Sequence, residues 1–154
     1  MGRLLALLAV TLLPALAQAK TWNGVTPMET KRADLITKFG EPSKAIKQGE
    51  KEVVAYIGPK AIKGTTQAQF TVNAAGVVES IVVFPATKLE VGEIEEMYGK
   101  SCEKGGEPQS CYVRQLADDF KVFFWFKRMG LIVFFAEDKK TVHSFMFNTP
   151  VAPR

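Results

Sequence analysis

The feature of this sequence that most constrains its fold occurs twice: a short helical segment ends with an aromatic residue and a glycine, and apolar runs typical of strands follow it. The first segment covers residues 26–40 and the second covers residues 87–99. Each opens with Thr-x-x-Glu, the spacing of a helix-capping box, and each closes on a glycine suited to a helix end. The sequence therefore predicts an α+β fold of tandem helix-plus-antiparallel-sheet units, with the helices packed on one face of the sheet, and the units could share one continuous sheet.

The repetition also predicts how the chain is divided. A leader covers residues 1–19, a first helix/sheet unit covers residues 20–86, and a second covers residues 87–154. Helices are predicted at residues 27–39 and 89–98, and strands at residues 53–57, 67–73, 77–84, 112–116, 120–127, 131–136 and 142–147. Because the strands of the second unit follow one another through short loops, we expect them to pair antiparallel.

The leader has the three parts of a secretory signal. Arg3 supplies a positive start, residues 4–13 form an apolar run, and Ala17-Gln18-Ala19 is a small-x-small cleavage site. A membrane span is the alternative, but the apolar run meets Pro14 well short of the ~20 residues that cross a bilayer. The cleavage site has no cysteine that could carry a lipid. We therefore expect cleavage before Lys20, a periplasmic or secreted product, and no stable membrane insertion after cleavage.

The chain is only slightly basic. Its 20 Lys and Arg side chains stand against 16 Asp and Glu, which gives a net charge of +4. A surplus this small is typical of an ordinary solvated surface, and export would remove the protein from nucleic acid. The sequence therefore predicts no nucleic-acid partner.

Two cysteines, Cys102 and Cys111, flank a loop that contains Gly-Gly and Pro. In an oxidising compartment such a pair favours a disulfide, and the glycines let the loop turn back on itself. A redox pair is the alternative, but the spacing is not Cys-x-x-Cys and no neighbouring group obviously activates a thiol. We expect a structural disulfide that stabilises the second unit.

Residues that could support catalysis are few and poorly spaced. His143, the single histidine, lies in a predicted strand and has no second histidine at a metal-ligand spacing. Gly105-Gly106 lacks the Gly-Lys-Ser/Thr ending of a phosphate loop. Carboxylates crowd one short helix and one turn, where they usually form a solvated surface; they are Glu93, Glu95, Glu96, Asp118 and Asp119. The sequence therefore predicts no catalytic residues, no metal and no cofactor.

The stretch at residues 120–127 is unusually aromatic. Alternation along a strand sends Val122, Phe124 and Phe126 to one face of the sheet. The other face receives Lys121, Phe123, Trp125 and Lys127. On one interpretation the other unit covers this second face, or it belongs to a large core. On the other it is an exposed aromatic patch edged with lysine, the composition of a protein-binding surface, and these four residues are the candidate partner-binding site.

The entry into the first helix carries a family resemblance. Gly24-Val25-Thr26-Pro27-Met28, Ala33-Asp34-Leu35-Ile36 and Phe39-Gly40-Glu41-Pro42 resemble the opening of the small outer-membrane-assembly lipoproteins of the SmpA/OmlA type, in which a G-x-[ST] entry leads into a helix ending L-G-x-P. The doubling of the unit is similar to the β-lactamase inhibitory protein family, which has the same helix-on-sheet module in tandem. This resemblance implies a protein-binding module of the cell envelope.

The favoured function is non-catalytic protein binding in the cell envelope or outside the cell, as an assembly accessory or as an inhibitor. The partner would be an envelope or extracellular protein. The alternative is a periplasmic carrier of a lipid or hydrophobic ligand that uses the apolar sheet; an enzyme and a purely structural envelope component are the remaining classes. A buried elongated cavity would favour the carrier, because an open sheet cannot shield a lipid from water.

Overall fold

Eight strands form one antiparallel sheet in the computed structural model, which describes residues 18–119 and 121–152. The strands are β1 (Lys44–Gln48), β2 (Lys51–Ile57), β3 (Thr65–Val72), β4 (Val78–Pro85), β5 (Val113–Leu116), β6 (Val122–Phe126), β7 (Leu131–Phe135) and β8 (Val142–Phe147), and the helices are α1 (Arg32–Phe39) and α2 (Val91–Tyr98). The order across the sheet is β1-β2-β3-β4-β8-β7-β6-β5. Residues 1–17 of the predicted leader, and Phe120 of the predicted aromatic strand, lie outside the described residues.

The predicted fold class, tandem helix-plus-sheet units, is wrong. The last strands of the two runs pair with each other, with Ile81 opposite Phe147 and Val83 opposite Phe145, so that all eight strands belong to a single sheet. Each described helix has only eight residues. The protein is therefore mainly one long antiparallel sheet with two short helices. Sequence periodicity is local, and it could not show which distant strands would pair.

Both helices begin later than the sequence predicts. The chain before α1 bonds to the start of β4: the Met28 N–H donates to the Val78 carbonyl, and the Val78 N–H donates to the Thr30 carbonyl. These bonds hold the backbone in a non-helical path, in which Met28 has a φ of 66°, so the helix starts only at Arg32. The Thr-x-x-Glu at residues 26–29 forms a turn instead. At α2 the Glu93 carboxylate accepts a hydrogen bond from the Glu90 N–H, 2.7 Å long, and caps the helix.

The helices end where the sequence predicts, at Phe39 and Tyr98, and a glycine with positive φ follows each of them. An ion pair ties α1 to the sheet, because the Arg32 guanidinium donates to both carboxylate oxygens of Glu52 at 2.6 and 3.2 Å. Within the described ranges, no helix is long and apolar enough to cross a membrane.

The core lies between the helices and one face of the sheet. Leu35 of α1 and Ile94 of α2 are fully buried against alternate strand residues. Aromatic rings fill much of this layer: Phe39 of α1 contacts Tyr56 and Phe70, and Tyr98 of α2 contacts Phe126 and Phe145. We call this side of the sheet the helix face. Fully buried strand residues on it include Val54, Ala68, Ile81, Leu131 and Val133.

The sequence reading missed β1. All five of its residues are exposed, and their sequence, Lys-Ala-Ile-Lys-Gln, gives little apolar alternation. The strand forms because its backbone pairs along its whole length with β2, from Lys44 opposite Ala55 to Gln48 opposite Lys51. It is an edge strand, and lysines on an edge are a common means of preventing further strand addition.

Candidate functional site

The side of the sheet opposite the helices carries a continuous apolar surface. Register places Phe123 beside Phe134, Trp125 beside Ile132, Ile132 beside Met146, and Met146 beside Val82. Cross-strand partners in an antiparallel pair point to the same side, so these six side chains from β4, β6, β7 and β8 form one patch. We call it the aromatic patch and define it as Val82, Phe123, Trp125, Ile132, Phe134 and Met146. All six are partly exposed, whereas their neighbours along each strand are buried.

The same side of the sheet is polar along β3. There Gln67, Gln69 and Thr71 are partly exposed, whereas the residues that pair with them on β2 are again apolar. Register pairs Gln69 with Val82, and Val82 is in turn a neighbour of Met146, so the polar region and the aromatic patch share one surface. The polar strand β3 therefore bounds the aromatic patch on its β4 side, and the contiguous apolar surface across β4, β8, β7 and β6 is the distinctive region.

Of the two lysines in the predicted partner-binding site, one packs on the aromatic patch and the other lies at its margin. The Lys127 ammonium lies 4.7 Å from the centre of the Trp125 ring, which is within the range of a cation–π interaction. The Lys121 ammonium instead pairs with the Asp119 carboxylate at 2.7 Å. This hydrogen bond raises the pKa of Lys121 and lowers the pKa of Asp119. The structure therefore brings Phe123, Trp125 and Lys127 together and places Lys121 beside them in an ion pair.

A small niche opens at the Trp125 edge of the patch. Its volume is about 110 Å³, and its lining consists of Cys102, Pro108, Cys111, Val113, Trp125, Lys127 and Arg128. Two of these side chains are cationic and none is a carboxylate. The niche therefore offers a place for an acidic group beside the aromatic surface, which sequence reasoning missed because the disulfide loop forms one of its walls.

Cys102 and Cys111 are joined by a disulfide, with their Cα atoms 4.9 Å apart. The loop between them is tightly folded: a Cβ atom on Gly106 would lie 2.5 Å from the Lys100 carbonyl oxygen, so only glycine fits there. The next residue, Tyr112, fastens the loop to α2 because its hydroxyl donates to Glu95 at 2.8 Å. Burial, and then this bond to the Glu95 carboxylate, raise the pKa of Tyr112 well above its usual value. The disulfide loop therefore fixes the end of the sheet that carries Trp125.

The single histidine lies on the rim of the same side of the sheet. The Nδ1 atom of His143 is 3.2 Å from the Ser144 hydroxyl, and its ring packs edge-on against Phe84. A cleft of about 300 Å³ is lined by Ala117, Asp119, Lys121, Phe134, His143 and Ser144. Residues 18–119 and 121–152 contain no cluster of three or more His, Cys, Asp or Glu side chains placed to hold a metal ion.

Three of the five acidic residues noted in the sequence have local bonding partners. Glu93 caps α2, Glu95 accepts the Tyr112 hydroxyl, and Asp119 pairs with Lys121. Glu93 and Glu95 lie on α2, whereas Asp119 lies in the turn before β6. The structure therefore does not gather these carboxylates into one cleft, and Asp119 alone of the three lines the cleft that contains His143.

Comparison with known proteins finds a solved structure with a similar fold. No protein-family model and no curated protein matches the chain. A crystal structure of a DUF4309 family protein (YjgB) from Bacillus subtilis subsp. subtilis str. 168 is similar, with a TM-score of 0.54, 11% sequence identity, and coverage of 86% of this chain and 88% of that chain. At this identity the likeness shows the fold alone. Neither the SmpA/OmlA nor the β-lactamase inhibitory protein family is among these findings, so that resemblance stays a prediction.

Proposed function

We propose that this chain is an exported, non-catalytic protein-binding module, periplasmic or secreted, that binds its partner through the aromatic patch. The observation that carries the proposal is the placement of six large apolar side chains from four strands on the side of the sheet opposite both described helices. A contiguous apolar surface of this kind on a folded domain usually marks an interaction site. The module either assists the assembly of its partner or inhibits it.

The composition of the patch favours a protein partner of defined chemistry. Aromatic residues and methionine are enriched in the centres of protein interfaces, and charged groups surround them. Here Trp125 and Phe123 occupy the patch, while Lys127 and Arg128 line the niche at its edge. The expected partner surface therefore has an apolar centre and a carboxylate positioned to enter the niche, because opposite charges across an interface give specificity.

A carrier of a lipid or hydrophobic ligand is the alternative function, and the aromatic patch does not favour it. A carrier must enclose the apolar part of its ligand, whereas side chains on an open sheet face leave one side of a ligand in water. A small apolar ligand would find better enclosure on the helix face.

Site-specific photo-crosslinking tests the proposal. A photoreactive phenylalanine analogue is placed at Phe123 in one variant and at Gln69, on the polar strand β3 of the same side, in a matched control. We expect the exported protein to crosslink its partner from position 123 and not from position 69. Equal yields at the two positions would contradict the proposal.

Binding measurements with the crosslinked partner then test the contribution of individual side chains. Truncating a central aromatic anchor typically costs about 2 kcal/mol or more of binding, or about 30-fold in affinity. We expect Trp125→Ser to weaken binding by this amount, Lys127→Glu to weaken it because the partner carboxylate would then meet a like charge, and Gln69→Ser to leave it unchanged. Unchanged binding by Trp125→Ser, or a stable homodimer that Trp125→Ser dissociates, would overturn the proposal of a foreign protein partner.

A further inference from the structure

A groove of about 410 Å³ lies on the helix face, behind the centre of the sheet. Its floor is formed by Val83 of β4 and by Phe145 and Phe147 of β8. One wall is Trp22 with Asn23, and the opposite wall is Leu89 with Met97 and Tyr98 from α2. The remaining lining residues are Lys63, Gly64, Thr65, Pro85 and Thr87.

The groove follows from the mismatch between a wide sheet and two short helices. Eight strands spaced about 4.8 Å apart span roughly 34 Å. Two helices, each about 10–12 Å wide with their side chains, cover roughly 20–24 Å of that width. A gap of about 10 Å therefore remains in the helical layer, and it falls above the β4–β8 pair, where the two runs of strands meet.

The walls of the groove are fixed by packing. The Trp22 ring contacts Phe39 and Phe70, with ring centres 6.4 and 6.0 Å apart. Tyr98 contacts Phe126 and Phe145 on the other side. Since both aromatic walls are held by core residues, the space between them is largely pre-formed, as it is in most small-molecule sites.

The charged groups described at the groove are positive. Among the described residues that line it, Lys63 is the only charged one, and none is a carboxylate. Lys20 adds a second ammonium nearby, 5.7 Å from the centre of the Tyr98 ring. The Tyr98 wall is partly buried, and this burial raises the pKa of the Tyr98 hydroxyl. An apolar floor with lysines at its margin suits a molecule that has an apolar body and a negative head.

We infer that this groove binds a single-chain amphiphile with an anionic head group, its chain lying over Val83, Phe145 and Phe147 and its head beside Lys63. At about 30 Å³ for each water-sized group, the groove accommodates roughly 14 non-hydrogen atoms, which corresponds to a medium-chain carboxylate such as dodecanoate. The site is separate from the aromatic patch, and its existence does not depend on the proposed protein-binding function.

The two tryptophans report on the two sides of the sheet. Trp22 lines the groove, whereas Trp125 belongs to the aromatic patch. In the Trp125→Phe variant the tryptophan fluorescence comes from Trp22 alone, and in the Trp22→Phe variant it comes from Trp125 alone. We expect a terminally brominated dodecanoate, below its micellar concentration, to quench Trp22 saturably and to leave Trp125 unquenched. Quenching of Trp125 alone, or no saturable quenching of Trp22, would overturn the inference.

Calorimetry with dodecanoate tests the head-group contact. We expect Lys63→Met to weaken binding about two- to fivefold, the effect of losing one exposed ion pair. Lys60→Met, in the same connection but outside the lining, is the matched control and should bind as the unaltered protein does. Dodecyltrimethylammonium should bind more weakly than dodecanoate. Equal binding of the two probes, or equal effects of the two lysine changes, would contradict the assignment of the head group.

A blocking variant tests the position of the chain. Thr87 is exposed at the mouth of the groove, so Thr87→Trp should abolish dodecanoate binding while an unchanged melting curve confirms the fold. Trp125→Ser should leave dodecanoate binding intact even where it abolishes capture of the protein partner. Unchanged binding in Thr87→Trp would place the ligand elsewhere and overturn the inference.

Discussion

The two faces of β6 differ in exposure although their residues are of the same kind. On the helix face, Val122, Phe124 and Phe126 are 1%, 4% and 0% exposed. On the opposite side, Phe123 and Trp125 remain partly exposed. Both sets lie on one five-residue strand, so the difference comes from what covers each side of the sheet and not from the hydrophobicity of the side chains. Apolar residues kept at a surface by the architecture of the fold are available for binding.

Substitution of neighbouring phenylalanines should produce the largest effect and tests this comparison directly. Phe124→Ser removes a ring that stacks on Tyr112 with centres 3.8 Å apart, and it should cost about 3–5 kcal/mol of unfolding free energy. Phe123→Ser removes a partly exposed ring and should cost only about 1 kcal/mol. Urea unfolding measures both. Similar losses for the two variants would mean that both faces belong to one core.

Removal of the disulfide should produce an intermediate effect. In the chain-entropy model, closing a loop of this length contributes about 2–3 kcal/mol, because the bond restricts the unfolded chain. We expect the double variant Cys102→Ser with Cys111→Ser to lose stability by this amount and to shift the Trp125 emission, since the loop forms the wall of the niche. The Trp22 emission, measured in a Trp125→Phe background, serves as the control and should not change. A variant with unchanged stability and unchanged Trp125 emission would show that the loop does not shape that end of the patch.

The smallest effect should come from a turn that belongs to neither face. The Asp138 carboxylate accepts hydrogen bonds from the Thr141 hydroxyl at 2.6 Å and from the N–H groups of Thr141 and Lys140 at 2.8 and 2.9 Å. These bonds, led by the hydroxyl, lower the pKa of Asp138 to about 2. Because the folded pKa lies below the usual value of about 3.9, this turn stabilises the fold above about pH 4, and the contribution is lost as the pH falls towards 2.

Melting temperatures of the unaltered protein and of Asp138→Asn, measured from pH 6 to pH 2, test this prediction. We expect the unaltered protein to be slightly more stable at pH 6 and the difference to shrink as the pH falls from about 4 to about 2. Carboxyl-carbon NMR of Asp138 gives the pKa itself. A difference that does not depend on pH would show that the charge of Asp138 contributes nothing to the turn.

The sequence predicted most of the strands because their signal is local. Alternation located β3, β4 and β6, and the two glycines located both helix ends. It failed at β1, where an exposed edge strand needs no apolar pattern, and at the start of α1, where backbone bonds to Val78 override the capping signal. It failed on the fold class because each helix has only eight residues and because the pairing of β4 with β8, which merges the two runs of strands, joins residues far apart in the chain.

The candidate site was predictable in part for the same reason. The alternation within β6 assigned Phe123 and Trp125 to one side of the sheet. The contributions of Ile132, Phe134 and Met146 required the cross-strand register, which no single strand reveals. Lys121 was grouped with the patch by alternation alone, but its ammonium pairs with Asp119 through a local contact that alternation does not describe.

The pairing of β4 with β8 also sets the order in which the surface can form during folding. The aromatic patch spans this seam, because Val82 belongs to β4 and Met146 to β8. Contacts between residues so distant in sequence carry a large loop-closure cost and tend to form late. A chain that has not yet added β8 therefore has no complete patch, and the proposed binding surface is assembled only when β8 pairs with β4.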